Sequence, residues 1–296
     1  MIEFNFKGGL GNQMFQYAFY LHLKKRYPQM AFFFDTDCYR YEKFHTGFEL
    51  TRVFPACDVR FDRKPSSFVE KGYYKLKVNI KNRIYRLMPW IEYITEENAE
   101  AKLLNGLSLR KRYFVKGTWY SDKYFTDVQD DVKAVFRFDN NLTEENRMLL
   151  SDIERSNSVS LHVRRGDFIS LNVERIPLSE SNFYERAVNK VFDSIGGGKI
   201  FLFSDEPEWC LENLTFLQNH EHEIVTNNQG DQSFRDMQLM SRCKHNVIAN
   251  SSFSWWAAFL NPNPDKMVIC PAILDNNNQT REDIHHWIYC DGWIKI

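Results

Sequence analysis

The 296 residues are enough for two domains of about 150 residues each, and 43% hydrophobic with 26% charged residues is an ordinary globular balance. A formal net charge of −1 leaves no global basic field, so nucleic acid is not an expected partner. The six cysteines (38, 57, 210, 243, 270, 290) form no Cys-x-x-Cys pair, and no apolar run approaches the ~20 residues of a membrane span.

Ile2 to Phe6 reads as a first strand with no signal peptide before it, so a reducing cytoplasm is the expected compartment. The strand runs into Lys7-Gly8-Gly9-Leu10-Gly11-Asn12-Gln13, and a helical pattern follows from Gln13 to Tyr27. Strand, glycine-rich turn and helix open a nucleotide-binding-type unit. Gly9 and Gly11 let the backbone approach a ligand closely, although a tight turn alone also accounts for them. The run is neither G-x-G-x-x-G nor a P-loop. Met30 to Phe34 reads as a second strand ending in Asp35-Thr36-Asp37. Asp-x-Asp binds metal in one class of glycosyltransferases, and aspartates also end strands routinely.

Residues 38 to 112 carry no motif. Lys71 to Trp90 is basic, with Leu76, Ile80, Ile84 and Leu87 at helical spacing. An amphipathic helix there has two readings, a solvated face or a peripheral contact with an anionic membrane. Tyr113 to Tyr120 reads as a strand and Tyr124 to Phe138 as a helix. The polar break at 139–142 divides the chain into domains 1–140 and 141–296. Thr143 then caps a helix to about Arg155.

The second half has a regular rhythm. A strand at Ser158 to Val163 opens into Arg164, Arg165, Gly166 and Asp167. A helix from Ser181 to Ser194 ends at three glycines, and the strand Ile200 to Phe203 opens into Ser204-Asp205-Glu206. After a short helix come a strand at Glu223 to Thr226 and a helix at Ser233 to Arg242. The strand Val247 to Ala249 opens into Asn250-Ser251-Ser252-Phe253-Ser254 and a helix to Leu260, and Lys266 to Cys270 is the last strand. Short apolar strands alternating with helices imply a parallel sheet covered on both faces. Ligands bind beyond the carboxyl ends of such strands, so three loops would line one cleft.

Arginine forks match phosphate oxygens, whereas Arg164 and Arg165 in a plain turn would pair with Asp167. Residues 250–254 at a helix start offer backbone amides to an anion, or form a serine cap. Asp205 accepts from a ribose or a base edge, or caps the helix at Pro207. Together these residues suit a diphosphate and point to a sugar-nucleotide transferase with a cleft between two Rossmann-like halves.

Five segments carry a resemblance: G-G-L-G-N-Q-M-F-Q-Y-A (8–18), H-V-R-R-G-D (162–167), S-D-E-P-E-W (204–209), D-M-Q-L-M-S-R-C-K-H (236–245) and N-S-S-F-S-W-W-A-A (250–258). In this order they resemble the α1,2-fucosyltransferase family of bacterial surface-polysaccharide and blood-group-H enzymes. The resemblance implies an α/β GT-B-like fold, with two Rossmann-like domains facing across a cleft. Domain 1–140 would face the acceptor and domain 141–296 would bind GDP-fucose. L-fucose would pass with inversion and without a metal to the 2-OH of a terminal galactoside, on an oligosaccharide or a lipid-linked glycan. Arg164 and the amides of 251–254 (Ser251, Ser252, Phe253, Ser254) would meet the charge on the β-phosphate. Arg165 would do the same or anchor the loop, and His162 would orient it. Gly9, Gly11, Asp205 and Asn250 would line the donor site, with Asn12 reaching toward the sugar. Asp167 is the candidate base, although a carboxylate beside arginines is a weak one and a phosphate oxygen is the alternative acceptor of the proton. The competing readings are a metal-dependent glycosyltransferase using Asp35 and Asp37, and a carbohydrate-binding protein exploiting the aromatic residues.

Overall fold

The computed structural model describes residues 1–41, 46–59, 88–165, 178, 181–272 and 288–296. Asp167 and positions 71–87 of the basic stretch lie outside the described residues. The chain divides into two compact units, Met1–Arg137 and Phe138–Ile296.

The first unit contains β1 (Ile2–Asn5), α1 (Leu10–Arg26), β2 (Phe32–Asp35), the short turns α2 (Cys38–Tyr41) and α3 (Leu50–Val53), β3 (Ile91–Ile94), α4 (Ala99–Asn105), β4 (Arg112–Val115) and α5 (Gln129–Val135). Its four strands pair in parallel in the order β2-β1-β4-β3. Helix α1 is buried around most of its circumference, as a helix apolar on nearly every face must be. Its rings build the core: Phe19 stacks on Trp119 at 3.9 Å, Phe15 on Tyr120 at 4.7 Å, and Tyr20 meets Phe34 edge-on at 4.9 Å. In this unit, core packing is where these aromatic residues are used. Lys24, Lys25 and Arg26 close α1, where the helix dipole favours cations.

Several elements differ from the sequence reading. Helix α1 starts at Leu10, because the Gly9 carbonyl already accepts the Asn12 and Gln13 amides at 3.0 and 3.1 Å. Strand β4 stops at Val115, ahead of a bend in which Trp119 takes a positive φ of 58°. The expected helix at 124–138 is a 3₁₀ segment (Asp122–Val128) followed by α5, broken at Phe125 with φ −144°. Strand β3 lies in the stretch that carried no motif. Its sequence, Ile-Glu-Tyr-Ile, is short and only half-buried, so its alternation is weak.

The second unit contains α6 (Glu144–Arg155), β5 (Ser158–Val163), α7 (Phe183–Ile195), β6 (Lys199–Ser204), α8 (Pro207–Asn213), β7 (His222–Val225), α9 (Phe234–Met240), β8 (His245–Val247), α10 (Ser252–Leu260), β9 (Val268–Cys270) and β10 (Ile294–Lys295). Six parallel strands run in the order β10-β9-β8-β5-β6-β7. The Thr143 hydroxyl accepts the Asn146 amide at 3.3 Å, the expected cap of α6. Strand β5 is buried at all six positions. Val159, Leu161 and Val163 pack with Ala187, Val188 and Val191 of α7. The alternate residues meet a polar seam, in which Asn246 donates to Ser160 at 2.7 Å and Asn261 donates to Asn246 at 2.7 Å. Both units are therefore parallel α/β sheets of Rossmann type, the class the sequence implies. None of the six cysteines forms a disulfide. Among the described residues, no helix is long and apolar enough to cross a membrane.

The three glycines after α7 answer two needs. Gly196 (φ 76°) and Gly197 (φ 98°) return their amides to the Phe192 carbonyl at 2.8 and 3.1 Å, a left-handed helix end. Gly198 is needed for space, since a methyl there would collide with the Asn157 carbonyl oxygen, which is backbone and cannot swing aside. Gly198→Ala should therefore cost roughly 2 kcal/mol or more, read as a lower urea midpoint with an unchanged slope. An unaltered midpoint would show that the β6 entry can shift freely.

A buried polar network ties α6 to α9. Asn146 and Asn228 exchange hydrogen bonds at 2.8 and 3.1 Å, and Asn228 donates to Asp236 at 2.8 Å. Burial pushes the Asp236 carboxyl up from 3.8 to about 7, against the opposing hydrogen bond from Asn228. The folded chain thus holds this proton to higher pH than the unfolded one, and stability falls as pH rises from about 4 to about 7. Asp236→Asn keeps the acceptor and removes the titration. Urea unfolding at about pH 5 and about pH 8 should show the natural chain losing stability relative to this variant, by up to roughly 2.5 kcal/mol. Identical pH dependence in both proteins would exclude Asp236 as the cause.

Candidate active site

In an open parallel sheet, ligands sit beyond the carboxyl ends of the strands, where the chain reverses its direction along the sheet. The second unit runs from β5 outward to β6 and β7, then returns to add β8, β9 and β10 on the other side. Its reversal point lies between β5 and β8, between the loops that begin at Arg164 and at Ile248. The β6 loop adjoins on the far side of β5. The structure therefore places all three expected loops on neighbouring strands.

The cations at the end of β5 are held by the β6 loop. Arg164 Nη1 lies 3.3 Å from Asp205 Oδ2, and the Arg165 amide donates to Asp205 Oδ1 at 3.0 Å. Arg165 Nε donates to Glu206 at 2.9 Å, and its guanidinium lies over the Trp209 ring at 3.6 Å. These contacts fit the loop-anchoring reading of Arg165. Asp205 does not cap the next helix. The residue at that cap is Glu206, with no side-chain bond to the helix, and Asp205 instead braces both arginines. Glu206 and Trp209 carry this bracing and were not singled out from sequence. Their signal was present in Ser-Asp-Glu-Pro-Glu-Trp, a carboxylate pair beside an aromatic residue.

Across β5, the Ser251 hydroxyl accepts the Phe253 amide at 3.3 Å and caps α10. Ser254 is fully buried and its hydroxyl donates to the Ser251 carbonyl at 3.4 Å. The serine-cap reading thus accounts for Ser251. A helix start still leaves the Ser252 and Ser254 amides without intrahelical partners, beside the positive end of the dipole. Asn250 is buried immediately before them. His162 is 5% exposed, its ring 5.9 Å from that of Phe253, and its Nδ1 has no hydrogen-bond partner. Burial, helped by the Arg164 charge, holds its pKa down at about 3, so the imidazole is neutral. It brings no charge to the site, only a buried nitrogen open to a hydrogen bond.

The first unit reverses between β1 and β4. Two glutamines of α1 hold the loops there. Gln16 accepts the Lys7 amide at 3.1 Å and donates to the Lys7 and Gly117 carbonyls at 3.2 Å each. Fully buried Gln13 donates to the Gly8 and Gly47 carbonyls at 3.0 Å each, and accepts the Glu49 and Leu50 amides at 2.9 and 3.0 Å. Glu96 accepts the Thr118 amide and hydroxyl at 3.1 and 3.0 Å, together with the amide of left-handed Trp119. Neither glutamine was singled out from sequence, although two amides three residues apart in an otherwise apolar helix are a readable signal. Gly9 is the residue before α1, and Gly11 and half-buried Asn12 lie in its first turn. Gly8 has φ +87°, a conformation that favours glycine, and a side chain there would strike the Asn12 side chain.

Asp35 Oδ1 accepts the Asp37 amide at 3.1 Å, closing a local turn at the end of β2. Among the described residues, no group of three or more His, Cys, Asp or Glu side chains is placed to hold a metal ion.

Comparison with known proteins joins these features. The family model for glycosyl transferase family 11 matches residues 73–296. The chain is 31% identical to the Escherichia coli O-antigen biosynthesis glycosyltransferase WbnK, over 95% of this chain and 97% of the relative. It is 30% identical to an Escherichia coli alpha-1,2-colitosyltransferase, over 98% and 96%. Human galactoside alpha-(1,2)-fucosyltransferase 1 matches at 24% over 46% of this chain and 40% of its own. Among solved structures, the α1,6-fucosyltransferase NodZ co-crystallized with GDP superposes with a TM-score of 0.52 at 15% identity, covering 88% of this chain and 92% of that one. Arabidopsis thaliana FUT1 superposes at 0.50 and 11% identity, over 93% and 71%. These structural likenesses establish the fold, which is that of GT-B-type fucosyltransferases. With the family match over three quarters of its residues and full-length similarity to the two bacterial enzymes, the chain belongs to glycosyl transferase family 11 and is a glycosyltransferase.

Proposed function

We propose that the chain transfers L-fucose from GDP-fucose to the 2-OH of a terminal galactoside, forming an α1,2 linkage in a surface polysaccharide. The observation that carries this reading is the arrangement at the β5–β8 reversal point. There Arg164 is braced by Asp205 on one side, and the start of α10 presents amides on the other. This arrangement suits a diphosphate. The α1,2 linkage is supported by the end-to-end similarity to an alpha-1,2-colitosyltransferase and the partial similarity to alpha-(1,2)-fucosyltransferases. The acceptor class is supported by the O-antigen relative. The six cysteines without a disulfide suit a cytoplasmic enzyme.

In this reading the acceptor O2 attacks fucose C1 as the bond from C1 to the β-phosphate oxygen breaks. GDP leaves with the bonding electrons. Its new charge meets Arg164 and the Ser252 and Ser254 amides, each such donor contributing about 3 kcal/mol at the transition state. Arg165 and Asp205 keep that cation in place. The acceptor proton passes to Asp167, or to a phosphate oxygen. Asn12 is the proposed sugar contact, and no metal takes part.

The deciding experiment is a donor screen with β-galactoside acceptors in excess EDTA, with linkage analysis of the product. Transfer of fucose to the galactose 2-OH, undiminished by chelation, is expected. The colitosyltransferase relative makes colitose the second donor sugar to include. Activity lost to EDTA and restored by Mn²⁺ would instead favour the Asp35–Asp37 reading.

Arg164→Lys retains the charge and loses the planar fork. Turnover should drop roughly a hundredfold or more, with weaker GDP binding and an unchanged unfolding curve. Near-normal kinetics would remove Arg164 from the phosphate site.

A further inference from the structure

We infer that the amino-terminal end of the first unit's sheet is a docking face for an anionic lipid bilayer. Turns lead into β3 and β4 at this end, and they lie side by side. In the first, the Ile91 amide returns to the Met88 carbonyl at 3.0 Å, which leaves Pro89 and Trp90 at the tip. In the second, the Lys111 amide returns to the Ser108 carbonyl at 3.2 Å, with Leu109 and Arg110 at the tip. The Arg112 amide joins the two by donating to the Trp90 carbonyl at 2.9 Å. The tips are exposed: Trp90 by 54% and Leu109 by 62%. Leu104, on the last turn of neighbouring α4, is 76% exposed.

These apolar tips are set among cations. Helix α1 ends at the same edge with exposed Lys24, Lys25 and Arg26, and Arg26 reaches the Leu103 carbonyl of α4 at 2.7 Å. Lys102 and Lys111 share Glu92, and Arg112 pairs with Glu3. Glu92 and Glu3 are thus already matched, Asp127 lies against His22 and Lys25, and Arg110 with Lys24 and Arg26 supplies charge beyond these. A chain of net charge −1 has gathered an excess of basic groups at one end of one sheet.

Charge complementarity names the occupant. An exposed tryptophan and leucines within a basic rim match a bilayer interface, where the ring and the leucines enter the headgroup region and the cations meet lipid phosphates. The face is at the opposite end of the strands from the β1 and β4 loops, so a bilayer there does not cover the carboxyl edge of this sheet.

Flotation of the full chain with phosphatidylcholine vesicles, with and without about one third phosphatidylglycerol, tests this. Binding should require the anionic lipid and weaken steeply between about 0.1 and about 0.5 M salt. Arg110→Glu and, separately, Trp90→Ser should each lower partitioning about tenfold or more, with unchanged circular dichroism. Both tips are solvent-exposed, and if one variant misfolds the other gives the answer. No phosphatidylglycerol-dependent flotation, or full binding by a folded variant, would overturn the inference. So would tighter capture of RNA than of vesicles, or a dimer that these substitutions dissolve.

Discussion

Parallel pairing is the constraint from which the rest follows. Two parallel strands cannot be joined by a hairpin, so every connection must climb back over the sheet, and here most carry helices. All strand-to-helix loops in a unit then emerge at one edge, and all helix-to-strand turns at the other. Burial of both sheet faces explains why β5 is inaccessible along its whole length and why its chemistry begins only at Arg164. The same rule separates the polar carboxyl edge of the first unit from its cationic amino edge.

Loops that leave a sheet lose their ladder partners, and here side chains replace them. Gln16 offers Lys7 both a donor and an acceptor, in effect one more rung for β1. Gln13 satisfies four backbone groups at once. Asp205 takes the Arg165 amide and the Arg164 guanidinium. Leaving the buried ones, such as the Glu49 and Leu50 amides on Gln13, unpaired costs about 1–3 kcal/mol each. The described starts of these loops are therefore tied down by side chains, which is what positioning a phosphate or sugar site requires.

Much of this was legible in the sequence. The alternation of apolar strands and helices from Ser158 to Cys270 identifies a parallel sheet, and Arg164, Asp205 and residues 250–254 stand where strands end. Other features were hidden because they depend on partners far along the chain. Strand β3 owes its existence to pairing with β4, and β10 is two residues laid against β9. By sequence Arg165 reads as a phosphate ligand or a loop anchor, and only the tertiary structure shows Glu206 and Trp209, about forty residues later, against it.

Local chemistry is what the sequence by itself determined: periodicity, caps, glycine turns and the residue types at strand ends, all of which act within a few residues. The tertiary structure alone decided which loops share a reversal point, that Asp205 braces rather than caps, and that His162 is neutral. It also decided that Trp90, Leu109 and the end of α1 meet on one face. These depend on strand order and burial, which bring together residues about 20 to 90 positions apart, and no local pattern records them.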